Sequence, residues 1–133
     1  MKHNQFMIMI VAAATIIGAT TADAHHSFAA AYLEDEIQQI EGELVLFSYR
    51  NPHTFVHVDV AEENGEIHRY IVEWGSVTQL STQRITRNTL RTGDRLIING
   101  NPGRNPIDRR VRMLNLLRPS DGFRWGYEGE TFD

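Results

Sequence analysis

Valine recurs at every second position in His53-Thr54-Phe55-Val56-His57-Val58-Asp59-Val60, with His53, Phe55, His57 and Asp59 filling the alternate set. Period-two alternation marks a strand that buries one face, so Val56, Val58 and Val60 are assigned to a core and the histidine face to solvent or a ligand. Asn51-Pro52, immediately ahead, interrupts any preceding strand, because proline has no N–H to give a ladder. These residues require a sheet.

The rest of the chain supplies partners for that strand. Ile40 to Ser48 is β-branched and aromatic with Gly42 inside it, which predicts a strand bent or bulged at the glycine. Glu62-Glu63-Asn64-Gly65 reads as a hairpin turn into a returning strand from Glu66 to Trp74. Ser76 is placed to cap a short helix over Val77 to Gln83. Arg91-Thr92-Gly93-Asp94 turns into a short strand, Arg95 to Asn99, which Gly100-Asn101-Pro102-Gly103 is expected to close. Arg109 to Leu117 is the fifth strand, and beyond Pro119 the tail is expected to strap across the surface. Three strands, a helix and two strands predict a mainly β chain. The expected architecture is a small five-stranded OB-like barrel with one short helix between strands three and four.

The amino terminus has a different character. Lys2, an apolar run from Phe6 to Gly18, and Ala22-Asp23-Ala24 follow the layout of a cleavable export signal, and the run is short of the roughly 20 residues that span a bilayer. The chain therefore divides into a signal peptide (1–24), an N-terminal arm (25–39), the OB-like barrel (40–118) and a C-terminal tail (119–133). The expected location is periplasmic or secreted, with no membrane span after cleavage. No cysteine is present, Lys2 is the only lysine and Met113 the only methionine after the signal. Disulfides, thiolate ligands, Schiff-base chemistry and a methionine-rich copper relay are thereby excluded. The formal charge of −4 argues against nucleic acid as a partner and against a polybasic membrane contact.

Four motifs together resemble a family of small exported bacterial proteins classed as a domain of unknown function. They are His25-His26-Ser27-Phe28, Asn51-Pro52-His53, Glu73-Trp74-Gly75-Ser76, and Gly93-Asp94 followed by Gly100-Asn101-Pro102. The resemblance implies export and a small barrel and carries over no activity. Members often have tryptophan two residues beyond the motif histidine, where this chain has Phe55.

The remaining chemistry centres on histidine. Cleavage after Ala24 would give His25 a free α-amino group beside its imidazole, a chelating pair that with a third nitrogen suits copper, and zinc less well. His26, His53 and His57 are the other candidate ligands. His53 and His57 share a face but stand some 13 Å apart along a straight strand, so both cannot serve one ion. Asn51, Phe55, Trp74, Arg104 and Arg109 are candidate ligand-binding residues on the face and loops that an OB-fold uses. Asp59 and Glu73 are a further carboxylate pairing to be tested. No catalytic set is read. The expectation is a non-enzymatic periplasmic binding protein holding copper through His25, its partner a metal ion or an unknown periplasmic protein. The alternative is a metal-free OB-like module for a protein or small anion.

Overall fold

The computed structural model describes residues 28–126. The description below concerns the unit that begins at Ala31. Six strands form one sheet: β1 (Gln38–Ser48), β2 (Phe55–Ala61), β3 (Ile67–Glu73), β4 (Arg95–Pro102), β5 (Arg110–Arg118) and β6 (Phe123–Gly126). The helix α1 (Val77–Thr82) lies between β3 and β4. Strand order is β3-β2-β1-β4-β5-β6, and a parallel pairing of β3 with β5 closes the first five strands into a barrel. This is the expected OB-like barrel with one additional outer strand.

The core follows the period-two pattern. Val56 and Val58 are fully buried and Val60 nearly so, packed with Leu44, Val72, Leu96, Ile98, Val111 and Leu116 from the other barrel strands. The predicted turns also form: Gly65 and Gly93 both take positive φ. Ser76 caps α1, its hydroxyl accepting from the Gln79 amide at 3.1 Å.

Three boundaries differ from expectation. First, the irregularity in β1 against β2 falls between Leu44 and Leu46 rather than at Gly42. Gly42 serves close approach instead, since a Cβ there would lie 2.3 Å from the Asp59 carbonyl oxygen. Second, β4 does not stop at Asn99 but runs on through Gly100-Asn101-Pro102. A Cβ on Gly100 would lie 2.3 Å from the Arg112 carbonyl oxygen, so this glycine lets two strands converge and makes no turn. Third, the tail does not merely strap across the surface: Phe123–Gly126 pairs antiparallel with β5. Trp125 stacks edge-on against Trp74 with ring centroids 5.0 Å apart, and its indole N–H donates to Gln83 Oε1 at 2.6 Å. Phe123 and Trp125 are thus themselves a period-two signal, too short to stand out between flanking glycines.

Candidate functional site

Glu73 ends β3 on the outer face of the barrel, yet it is only 9% exposed. A carboxylate removed from water is costly unless donors replace the lost hydration. Here three donors from three parts of the chain converge on it. The Tyr32 hydroxyl donates to Oε2, Arg110 Nη2 reaches the same oxygen at 3.3 Å, and His53 Nδ1 contacts Oε1. Tyr32 comes from the arm, His53 from the loop before β2, and Arg110 from the start of β5.

Two hydrogen-bonded assemblies deliver these donors. In the first, Asn51 Oδ1 accepts from the Val77 amide at 2.9 Å, the Thr54 amide donates to the Gly75 carbonyl at 3.0 Å, and the Trp74 amide donates to the Thr54 carbonyl at 2.8 Å. The Asn-Pro-His and Glu-Trp-Gly-Ser motifs are therefore one unit, which places His53 beside Glu73. In the second, the Leu33 amide donates to the Pro102 carbonyl at 2.9 Å and Asn101 Nδ2 to the Glu36 carbonyl at 2.8 Å. Arg112 Nη1 adds an ion pair with Glu34 at 3.0 Å. The Gly-Asn-Pro motif thus clamps the arm and carries the buried Tyr32 onto Glu73.

Burial, then the hydrogen bond to Glu73 and its charge, push the Tyr32 phenol far above the ordinary tyrosine range, with Arg110 opposing weakly. Tyr32 therefore remains a protonated donor across physiological pH. The imidazole of His53 is 37% exposed on its side chain, with Nδ1 turned to the carboxylate.

His57 has different surroundings. It lies in register between Leu46 and Ile71 on the outer face of β2. Burial, with smaller contributions from the charges of Arg69 and Arg50, holds its pKa below the usual value of about 6.5. On acidification the unfolded chain takes up this proton before the folded one does. Stability present above that range is therefore lost as pH falls through about 6.5 toward the lower folded pKa. The expected result in urea melts is that the wild-type midpoint drops relative to His57→Gln between neutral and mildly acidic pH. A pH-independent difference would assign the ring no such role.

The other candidates are dispersed. Phe55 starts β2, opposite Glu73 in register. Trp74 is buried in the core against Phe47 and Trp125, on the face opposite Glu73, and its indole N–H has no acceptor among the described residues. Arg104 contributes its backbone amide to the Ala31 carbonyl at 3.0 Å. Arg109, at φ 44°, offers its carbonyl to the Ile71 amide at 3.0 Å. Their neighbour Arg110 is the one that reaches the carboxylate. Asp59 does not pair with Glu73, because Arg69, its cross-strand partner, holds it through two contacts of 2.8 and 3.0 Å. His25 and His26 lie outside the described residues. Among the described residues no group of three or more histidines and carboxylates is arranged to hold a metal ion.

Reading the residues singly missed Glu73, Tyr32 and Arg110 as a group. The available signal was the nearness of an outward-facing glutamate to the Asn-Pro-His loop across β2 and β3. Nothing in the local sequence announces that the arm covers it.

No curated protein matches the chain. Among solved structures it is similar to Rim1, a mitochondrial single-stranded DNA binding protein from S. cerevisiae, with a TM-score of 0.46 and 11% identity over 61% of this chain and 90% of that one. A family model matches residues 13–110, a span that includes Tyr32, His53, Glu73 and Arg110. The chain belongs to that family, the family of unknown function DUF6152.

Proposed function

We propose that the protein is a non-enzymatic periplasmic binding module that takes up copper between the mature amino terminus at His25 and the imidazole of His53. The observation that supports this reading is the contact of His53 Nδ1 with the buried Glu73. Histidines that ligate metals commonly present the other ring nitrogen to a carboxylate, which fixes the tautomer and raises ligand basicity. Tyr32, seven positions after His25, anchors the arm on that same carboxylate. His26 is a reserve ligand, and His57 is assigned none of this role.

The test is copper titration of the protein beginning at His25, by calorimetry with electron paramagnetic resonance, beside a form carrying one added alanine before His25. The expected result is tight one-to-one binding, lost in the extended form, weakened by His53→Ala, and weakened as pH falls through about 6.5 while the nitrogens protonate. Equal weak binding in both forms overturns the copper reading. It leaves the metal-free alternative, a protein or small anion held near Arg110, whose side chain is 43% exposed.

A further inference from the structure

A second surface, independent of that site, lies in the connection from β3 to β4. Residues 74–93 contain Arg84, Arg87 and Arg91 and no acidic residue, a charge of +3 within a chain whose total is −4. All three arginines are exposed, and none has a side-chain acceptor among the described residues. Among the described residues, Asp94 and Asp121, the acids beside the loop, are already engaged. Arg118 binds Asp94 at 2.8 Å and Asp121 at 2.8 and 3.0 Å, and it also donates to the Thr89 carbonyl at 2.7 Å. The two apolar residues between α1 and Gly93, Ile85 and Leu90, are turned into the core at 3% and 2% exposure. The loop is thereby anchored, and its outer surface is left to arginine and small polar side chains.

Arg84 also occupies an unusual backbone position. The Ile85 amide donates to the Leu80 carbonyl and the Arg84 amide to the Ser81 carbonyl, both at 3.0 Å, ending α1 in the pattern whose left-handed residue is ordinarily glycine. Arg84 sits there at φ 64°. A left-handed arginine carries strain that glycine would avoid, and the Arg84 guanidinium has no acceptor among the described residues.

We propose that the Arg84, Arg87 and Arg91 surface docks the protein on a membrane through anionic phospholipid headgroups. Arginine forks suit phosphate oxygens. Residues 83–93 contain no aromatic side chain on which a base could stack, and Trp125, which bonds Gln83, is held edge-on against Trp74, which disfavours single-stranded nucleic acid. The rest of the chain carries a net negative charge, which favours presenting this positive face to an anionic bilayer, and the whole-chain sum conceals it.

The full chain and its R84G/R87Q/R91Q variant are sedimented with phosphatidylcholine vesicles, with and without phosphatidylglycerol, at low salt and near 0.15 M, where the Debye length is about 8 Å. Any affinity of the apolar amino-terminal segment is common to both proteins, so their difference isolates the loop. The expected result is that the wild type prefers anionic vesicles, more so at low salt. Each arginine removed should lower partition about fivefold, reaching roughly a hundredfold for the triple variant. Arg84→Gly relieves a left-handed residue, so the thermal midpoint of the variant is expected to hold. Should it fall, R87Q/R91Q replaces it, with an expected loss of about 25-fold. Equal partition of wild type and variant overturns the proposal. Tighter binding of a single-stranded oligonucleotide than of the vesicles also overturns it, in favour of nucleic acid.

Discussion

Gly42→Ala is expected to destabilise the barrel by about 3 kcal/mol, at the upper end of what overpacking does, because the obstruction is backbone. The added Cβ meets the Asp59 carbonyl oxygen at 2.3 Å and Val58 Cγ1 at 2.7 Å. Val58 is fully buried and the Asp59 backbone belongs to the central ladder of β2, so neither can withdraw without opening the β1–β2 pairing. Gly100→Ala should behave alike, its Cβ meeting the Arg112 carbonyl oxygen at 2.3 Å and Val111 Cγ1 at 2.4 Å. Gly93→Ala is the control. Its φ is 93° but nothing lies within 4 Å of the new atom, so only the strain of a left-handed alanine remains, about 1 kcal/mol. Urea denaturation of the three variants checks the ranking. Equal losses at all three would mean that backbone conformation, and not strand convergence, explains Gly42 and Gly100.

Glu73→Ala is expected to be of similar size, about 3 kcal/mol, by a different route. It removes the acceptor shared by Tyr32, His53 and Arg110. His53 and Arg110 are partly exposed and can recover water, which limits their share of the loss. Tyr32, at 1% exposure, leaves its hydroxyl buried without its acceptor carboxylate. Tyr32→Phe alone should cost about 1–2 kcal/mol, since Glu73 keeps two donors. Because the two residues form one contact, the double variant should fall short of the sum by about 1 kcal/mol or more. Hydrogen exchange adds a second readout: in Glu73→Ala the Leu33 amide, bonded to Pro102, should lose protection while amides of β1 and β4 retain theirs. Strict additivity, or unchanged protection of Leu33, would show that the carboxylate does not hold the arm.

Much of the barrel was legible because strand faces are a local property. Val56, Val58 and Val60 declare their side of the sheet through spacing alone, and Gly65, Ser76 and Gly93 mark turns and a cap by chemistry that acts within a few residues. The same local reasoning misread Gly100-Asn101-Pro102, whose composition is that of a turn. In the fold Gly100 admits a neighbouring strand, the Asn101 side chain binds the arm, and the Pro102 carbonyl accepts from Leu33. The β6 strand was missed for a related reason, since its stability lies in pairing with β5 and in the Trp74–Trp125 contact rather than in its four residues.

The sequence by itself determined the succession of five strands and one helix along the chain, the buried face of β2, and the absence of cysteine chemistry. Only the tertiary structure decided that Glu73, on the outer face of the barrel, is an enclosed carboxylate rather than a solvated one. Its burial comes from residues 41 positions earlier and 37 positions later, Tyr32 and Arg110, brought together by the β3–β5 pairing and the docked arm. Whether a charge is hydrated or enclosed depends on what covers it, and covering is a property of long-range packing that no local pattern encodes.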